Sequence, residues 1–422
     1  MTHADERRPL LEAQHDVVKP DHPTIPDGGI KAWSQVIGSF FLMFNCWGIV
    51  NCYGSFQAYY KTVLFPDASP AAISWIGSLQ AFLLIFISVL TGPAYDAGYF
   101  RALIVTGTAL MAFGTLMVSF CSQYWQLLFA QALCTGLGAG CLFVPGVAIL
   151  STYFKKNASL ATGIATSGGS VVGGIVYSAI FKQFELSLGF ATSVRLLALV
   201  MLLTQSIALL TMRVRLVPAT RRAYLQLSAF KEIPYAIYSG GVLFAFMGMY
   251  IPFFFVQNYA IEHNILQPAT ASYALITLNL ASLLGRIIPN MLADRTGPFN
   301  ILIPCSLTTA LLAFVWIRVK TAETLFVFCS LYGFFSGAFV SLSPTTVVSL
   351  SPNLGVVGVR MGMSFVFAAI GLLTGNPIAG AILKAIGWPA LQAFCGSCVG
   401  LSMLAMVAAR IVKAGPSLRV KV

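Results

Sequence analysis

The stretch Ser282-Leu-Leu-Gly-Arg286-Ile-Ile-Pro-Asn-Met-Leu-Ala-Asp294-Arg295-Thr-Gly297 decides how the chain is read. It puts a guanidinium, Arg286, inside an apolar run and ends that run in a short charged turn. A charge in hydrocarbon is costly unless it faces protein or water, so an intramembrane Arg marks a functional position. The acid, Arg and Gly of the turn fit a hinge or latch at the membrane surface.

Composition supports that setting. Of 422 residues, 58% are hydrophobic and only 9% are charged, where a soluble domain carries roughly a quarter charged residues. The mean hydropathy is +0.83. The apolar runs are about 20 residues long, which selects helices over barrel strands. Helices also satisfy their own backbone in lipid. The net charge of +12 follows from Lys and Arg collecting in cytoplasmic loops. No basic stripe, zinc spacing or aromatic RNA-binding motif accompanies it, so no nucleic-acid partner is expected. Cys395-Gly-Ser-Cys398 lies in an apolar run without a second ligand pair, which reads as packing. No metal or cofactor is implied.

Apolar windows place spans near 33–59, 72–93, 102–122, 125–151, 160–182, 190–212, 233–258, 269–291, 299–318, 324–350, 360–383 and 388–411. With both termini cytoplasmic, eighteen of the 25 Lys and Arg fall inside and five outside, the asymmetry that sets orientation. The expected organisation is a cytoplasmic tail over 1–32, a six-helix bundle over 33–212 and a linker over 213–232. A second six-helix bundle follows over 233–411, with a tail over 412–422. The tail before Trp33 holds six acids and four Lys or Arg and no apolar region, so no cleavable signal is expected. Its Glu6-Arg-Arg-Pro-Leu10-Leu11 has the form of an acidic dileucine sorting signal. The cell membrane is the expected location, with a vacuolar or endosomal membrane as the alternative. Asn157-Ala-Ser159 is a glycosylation sequon on a loop expected to be cytoplasmic, hence unmodified.

The two halves repeat one another. Asp96 pairs with Asp294, Gly98 with Gly297, Gly140 with Gly337, Pro145 with Pro344, and Gly189-Phe190 with Gly387-Trp388, all at a common offset within a residue. Parallel repeats of six spans predict a substrate site near the midplane between two pseudo-symmetric bundles. The turn Asp96-Ala-Gly98-Tyr-Phe-Arg101 and the turn Asp294-Arg295-Thr-Gly297 are expected to form the gate. Gly supplies the tight turn, and the acid pairs with Arg or caps a neighbouring helix.

Charged groups are otherwise rare in the spans. No Asp or Glu lies within them, so no buried carboxylate offers a proton relay. Coupling to protons through His263, loop acids or the substrate and facilitated diffusion both stay open. Asn51, Gln131, Asn279, Ser282, Arg286 and Asn376 are the polar candidates for the substrate site, with Tyr250, Phe254 and Tyr332 as aromatic ones. Such a lining suits a bulky, partly aromatic molecule whose anionic or acceptor group meets Arg286. Arg195, near the end of span six, is expected to snorkel to the interface. No nucleophile elbow, phosphate loop or zinc-protease helix supports an enzyme.

Asp27-Gly28-Gly29 with Trp33 resembles the entry signature of the monocarboxylate-porter family of the major facilitator superfamily. Tyr153-Phe154-Lys155-Lys156 with Leu160 to Gly168 resembles its second signature. Ala229-Phe230-Lys231-Glu232, Pro234-Tyr235 and Gly248-Met-Tyr250-Ile-Pro252-Phe253-Phe254 are similar to the fungal branch. The resemblance implies an all-α membrane protein of twelve helices that moves small organic molecules by alternating access. Animal lactate carriers of the family carry Lys and Asp at the positions of Asn51 and Ser282, and only Arg286 matches. The reading is therefore a secondary transporter, expected to be monomeric, of a substrate larger than lactate, such as a secondary metabolite or vitamin-like carboxylate. A short-chain monocarboxylate/proton symporter and a non-transporting nutrient sensor are the alternatives.

Overall fold

The computed structural model describes residues 28–154, 158–168, 172–215, 226–352 and 357–415, apart from the side chains of Asp96, Ser151, 158–160 and Asp294. The Glu6–Leu11 motif, Lys155, Lys156, Asn157 and residues 216–225 of the linker lie outside the described residues. Among the described residues, eleven helices are long and apolar enough to cross a membrane: Ile30–Leu64, Pro70–Tyr95, Phe100–Val118, Tyr124–Ala148, Phe190–Thr211, Ile233–Glu262, Pro268–Ala293, Pro298–Arg318, Ala322–Leu350, Val357–Ala385 and Trp388–Ala414. Ala158–Ser167 and Gly173–Leu188 occupy the place of the expected fifth span. In chain order these are spans one to twelve.

Local chemistry sets the helix ends. Span two begins with Pro70 after Ser69, whose side chain accepts from the Ala72 N–H at 3.2 Å. Span ten begins after Thr321, in a reciprocal cap with Thr324. Pro also stands in the first turn of spans seven, eight, nine and twelve, where its missing N–H has no helical partner to lose.

The repeat read from sequence is a repeat of packing. Span four lies on span two, and span ten on span eight. A Cβ added at Gly140 would stand 2.8 Å from the Leu83 carbonyl, and one at Gly337 would stand 2.5 Å from the Ser282 carbonyl. Span six packs on spans one and three as span twelve packs on spans seven and nine. The halves join where span two meets span eleven, span five meets span eight, and span one meets span seven. Spans one and seven are central, with 78% of their apolar windows buried, against 33% for span six at the rim.

Both central helices break at equivalent points. Span one is interrupted at Cys52, between Ile30–Asn51 and Tyr53–Tyr59. Span seven is interrupted at Tyr250, between Ile233–Met249 and Ile251–Glu262. Pro252 accounts for the second break, since it cannot donate to the preceding turn.

The turn after span eight is shorter than the sequence reading placed it. Asp294, Arg295 and Thr296 remain helical in Pro268–Thr296, and Gly297 alone turns the chain, at φ 98°. Its N–H donates to the Ala293 carbonyl at 2.8 Å, and Pro298 opens the next helix. The helix outlasts the polar residues because nothing stops it before a residue that tolerates positive φ. Gly98, the repeat partner, has φ 90°. In span eleven, Gly375-Asn376-Pro377 does not open the helix, which runs unbroken over Val357–Ala385. Gly375 instead admits span seven, since an added Cβ would stand 2.0 Å from the Met247 carbonyl.

Candidate functional site

The break in span seven positions the site. Tyr250 sits at φ −84°, ψ −6° between the two helical segments. Span eight passes beside it, admitted to span ten by small residues at Gly285, Gly333 and Gly337. Between spans seven, eight and ten lies a cleft of about 170 Å³ lined by Met249, Tyr250, Phe253, Ser282, Arg286, Ser336, Gly337 and Val340. It is too narrow for a water-sized sphere. The Arg286 Nε is sealed from solvent and has no hydrogen-bond partner among the described residues. An unsatisfied buried donor of a charged group is costly, and a ligand acceptor entering this cleft would relieve it.

Of the residues chosen from sequence, Tyr250, Ser282 and Arg286 meet in this cleft. Asn51 and Asn279 meet each other across the halves, the Asn279 Nδ2 donating to the Asn51 carbonyl at 3.4 Å. The Asn279 Oδ1 is buried without a partner among the described residues. Phe254 packs on Tyr53 of the other half with ring centres 4.8 Å apart. Three candidates stand elsewhere. Gln131 accepts from the Tyr60 hydroxyl at 2.6 Å within the first half. Tyr332 donates its hydroxyl to the Met249 carbonyl at 3.0 Å, inside the second half. Asn376 is buried in span eleven and does not line the cleft.

The gating residues are only partly described. Gly98 and Gly297 make the turns, and Arg295 is exposed. Arg101 donates to the Leu209 carbonyl at the end of span six. The carboxylates of Asp96 and Asp294 lie outside the described side chains. Arg195 donates to the Ser119 hydroxyl at 3.2 Å and lies over Phe120, at the end of its span.

Sequence reasoning missed two residues. Trp47 of span one is half-buried and reaches the other half, facing Tyr250 at 6.5 Å between ring centres. Arg360, counted as a loop charge, is buried and holds Glu232 in an ion pair. One nitrogen donates to Glu232 at 2.8 Å and to the Leu350 carbonyl at 3.2 Å. Arg360 draws the Glu232 carboxyl below its usual range. The signal for this pair was an acid, Glu232, standing at the edge of an apolar run.

The halves approach closely from the midplane toward the face opposite the termini. An added Cβ at Gly54 would stand 2.3 Å from the Phe253 carbonyl, and one at Gly380 would stand 2.5 Å from the Ala71 nitrogen. Lys182 lies over the ring of Tyr273 at 3.0 Å. Toward the termini the approach is looser: a Cβ at Gly362 would meet Val89 at 3.5 Å.

Comparisons with known proteins agree with this geometry. The family profile of the Major Facilitator Superfamily matches residues 36–317 and 237–421. The MFS-type transporter dbaD of Emericella nidulans is 42% identical, over 85% of this chain and 80% of its own. The aspyridones efflux protein apdF of the same organism is 34% identical, over 88% of this chain and 76% of its own. A crystal structure of the nucleoside transporter NupG superposes with a TM-score of 0.69 at 16% identity, covering 90% of this chain and 98% of that one, and so shares the fold. The chain belongs to the major facilitator superfamily, a family of multi-pass membrane transporters rather than enzymes.

Proposed function

We propose that the chain exports a small organic anion larger than lactate, of the secondary-metabolite class, by alternating access. The observation that carries this reading is the buried, unpartnered Nε of Arg286 in a cleft beside the broken central helix. A fixed guanidinium there selects a carboxylate, phenolate or enolate. Ser282, at the position where lactate carriers place an acid, leaves that charge available to the substrate. The efflux of aspyridones named for a relative at 34% identity supports export and the substrate class.

In this reading the chain is a monomer in the cell membrane with its termini in the cytoplasm. The charge asymmetry of the loops supports that orientation. The tight seam is then extracellular, and the structure represents the inward-facing side of the cycle. Binding shifts the balance between this state and an outward-open one. Gly98, Arg101, Arg295 and Gly297, with Asp96 and Asp294, form the cytoplasmic gate. The test is an untargeted comparison of medium from cells with and without the gene. The expected result is one or more organic anions that leave the cell only when it is present. Identical media would exclude export.

A further inference from the structure

A second cavity, of about 420 Å³, lies where the end of span seven meets the end of span nine and the start of span twelve, on the face opposite the termini. That volume is within the range of about 300–1,000 Å³ for small-molecule sites. The cavity shares no lining residue with the Arg286 cleft, and its whole lining belongs to the second half. Tyr259, Trp388 and Gln392 are its buried wall, and His263 and Lys320 are exposed at its edge. The two aromatic residues have their polar atoms engaged. The Tyr259 hydroxyl donates to the Val319 carbonyl at 2.6 Å, and the Trp388 indole N–H donates to the Glu262 carboxylate at 2.9 Å. What they offer a ligand is therefore chiefly apolar ring surface. The charge is one-sided. Lys320 makes no ion pair or hydrogen bond among the described residues, and no acid among them lines the cavity. The His263 Nδ1 lies 3.1 Å from the Tyr259 carbonyl. A carbonyl only accepts, so this nitrogen carries a proton and Nε2 is left for a ligand. The Gln392 Nε2 donates to the Trp316 carbonyl at 3.4 Å, a long bond that a ligand acceptor can replace.

We infer that this cavity is a second binding site, for a small carboxylate with a ring-sized apolar body. The carboxylate meets Lys320 and His263 at the edge, and the body covers Tyr259, Trp388 and the neighbouring Ile265 and Ile317. A bare inorganic anion would leave that apolar surface in water, and a neutral ring would leave Lys320 unmatched. The site is reached from the face opposite the termini, and it does not depend on the reading of Arg286.

The test is protection of a cysteine placed in the cavity wall, Ile265→Cys, in the purified full chain in nanodiscs. Its rate of labelling by a maleimide is measured above the background of the chain without it. The probes are 2-naphthoate and 2-naphthamide, its neutral counterpart. Labelling is expected to slow with 2-naphthoate and not with 2-naphthamide. Lys320→Gln, at an exposed position, should raise the half-protecting concentration of 2-naphthoate about three- to fivefold. Lys320→Arg keeps the charge and should leave that concentration within about twofold. Arg286→Gln should leave protection unchanged, which separates this site from the central cleft. The inference is overturned by no protection from 2-naphthoate or by equal protection from 2-naphthamide. An unchanged half-protecting concentration in Lys320→Gln, or protection lost in Arg286→Gln, overturns it as well.

Discussion

The ammonium of Lys182, at the end of span five, lies 3.0 Å from the ring centre of Tyr273, at the start of span eight. It ties the two halves together on the face opposite the termini. Tyr273 is about half exposed, 49%, so the contact is worth on the order of 0.5–1 kcal/mol. That is enough to bias a two-state gate about two- to fivefold without affecting folding. Lys182→Gln is expected to raise the population open on this face. Distances between spin labels at the exposed positions Leu186 and Ala269 should lengthen in part of the distribution. An unchanged distribution would mean the contact is ornamental.

Gly54 and Gly285 both forbid a side chain, with different consequences. Gly54 sits between the halves, where a Cβ would stand 2.3 Å from the Phe253 carbonyl. Gly54→Ala is expected to fold normally and to hold the halves apart on this face, giving a wide label distance and slow transport.

Gly285 sits within the second half, where a Cβ would stand 1.8 Å from the Phe334 carbonyl. Spans eight and ten cannot separate there without losing their shared packing. Gly285→Ala should cost about 1–3 kcal/mol and lower the thermal midpoint of the purified protein. Equal midpoints for the wild type and Gly285→Ala would contradict the packing described.

Glu232 and Arg360 tie the start of span seven to span eleven. The Glu232 carboxyl titrates below its unfolded value of about 4.5, chiefly through its hydrogen bond to Arg360. Its contribution is therefore fully present above that value and is lost as pH falls through the lower, folded one. Glu232→Gln should cost about 1 kcal/mol at pH 7, since the carboxyl is 47% exposed and solvent screens the pair. The melting difference from wild type should shrink as pH drops below about 4. A difference that is constant with pH would show that the carboxylate's charge is irrelevant.

The spans and the repeat were legible in the sequence because length and apolarity are local properties. Gly98 and Gly297, like Gly189 and Gly387, all adopt positive φ, so their common spacing recorded real turns. Side-chain direction was much less legible. Gln131 and Tyr332 have the same polar character as Ser282, yet they point into their own bundles. A helix apolar on every side carries no phase from which to read its inward face. Arg360 was misplaced as a surface charge because its partner lies 128 residues away. Trp47 was passed over because its stacking depends on a break in span seven, for which Pro252 was the available sign. The gate is where sequence still leads, since the carboxylates of Asp96 and Asp294 lie outside the described side chains.

The central claim is that Arg286 meets the negative group of the exported molecule. It is tested most directly by comparing wild type and Arg286→Gln, at matched abundance in the membrane, for the organic anions released into the medium. A guanidinium–anion contact at a buried nitrogen is worth roughly 2–5 kcal/mol. The account predicts that export of those anions falls at least tenfold while the protein stays folded in the membrane. Undiminished export by Arg286→Gln would contradict it.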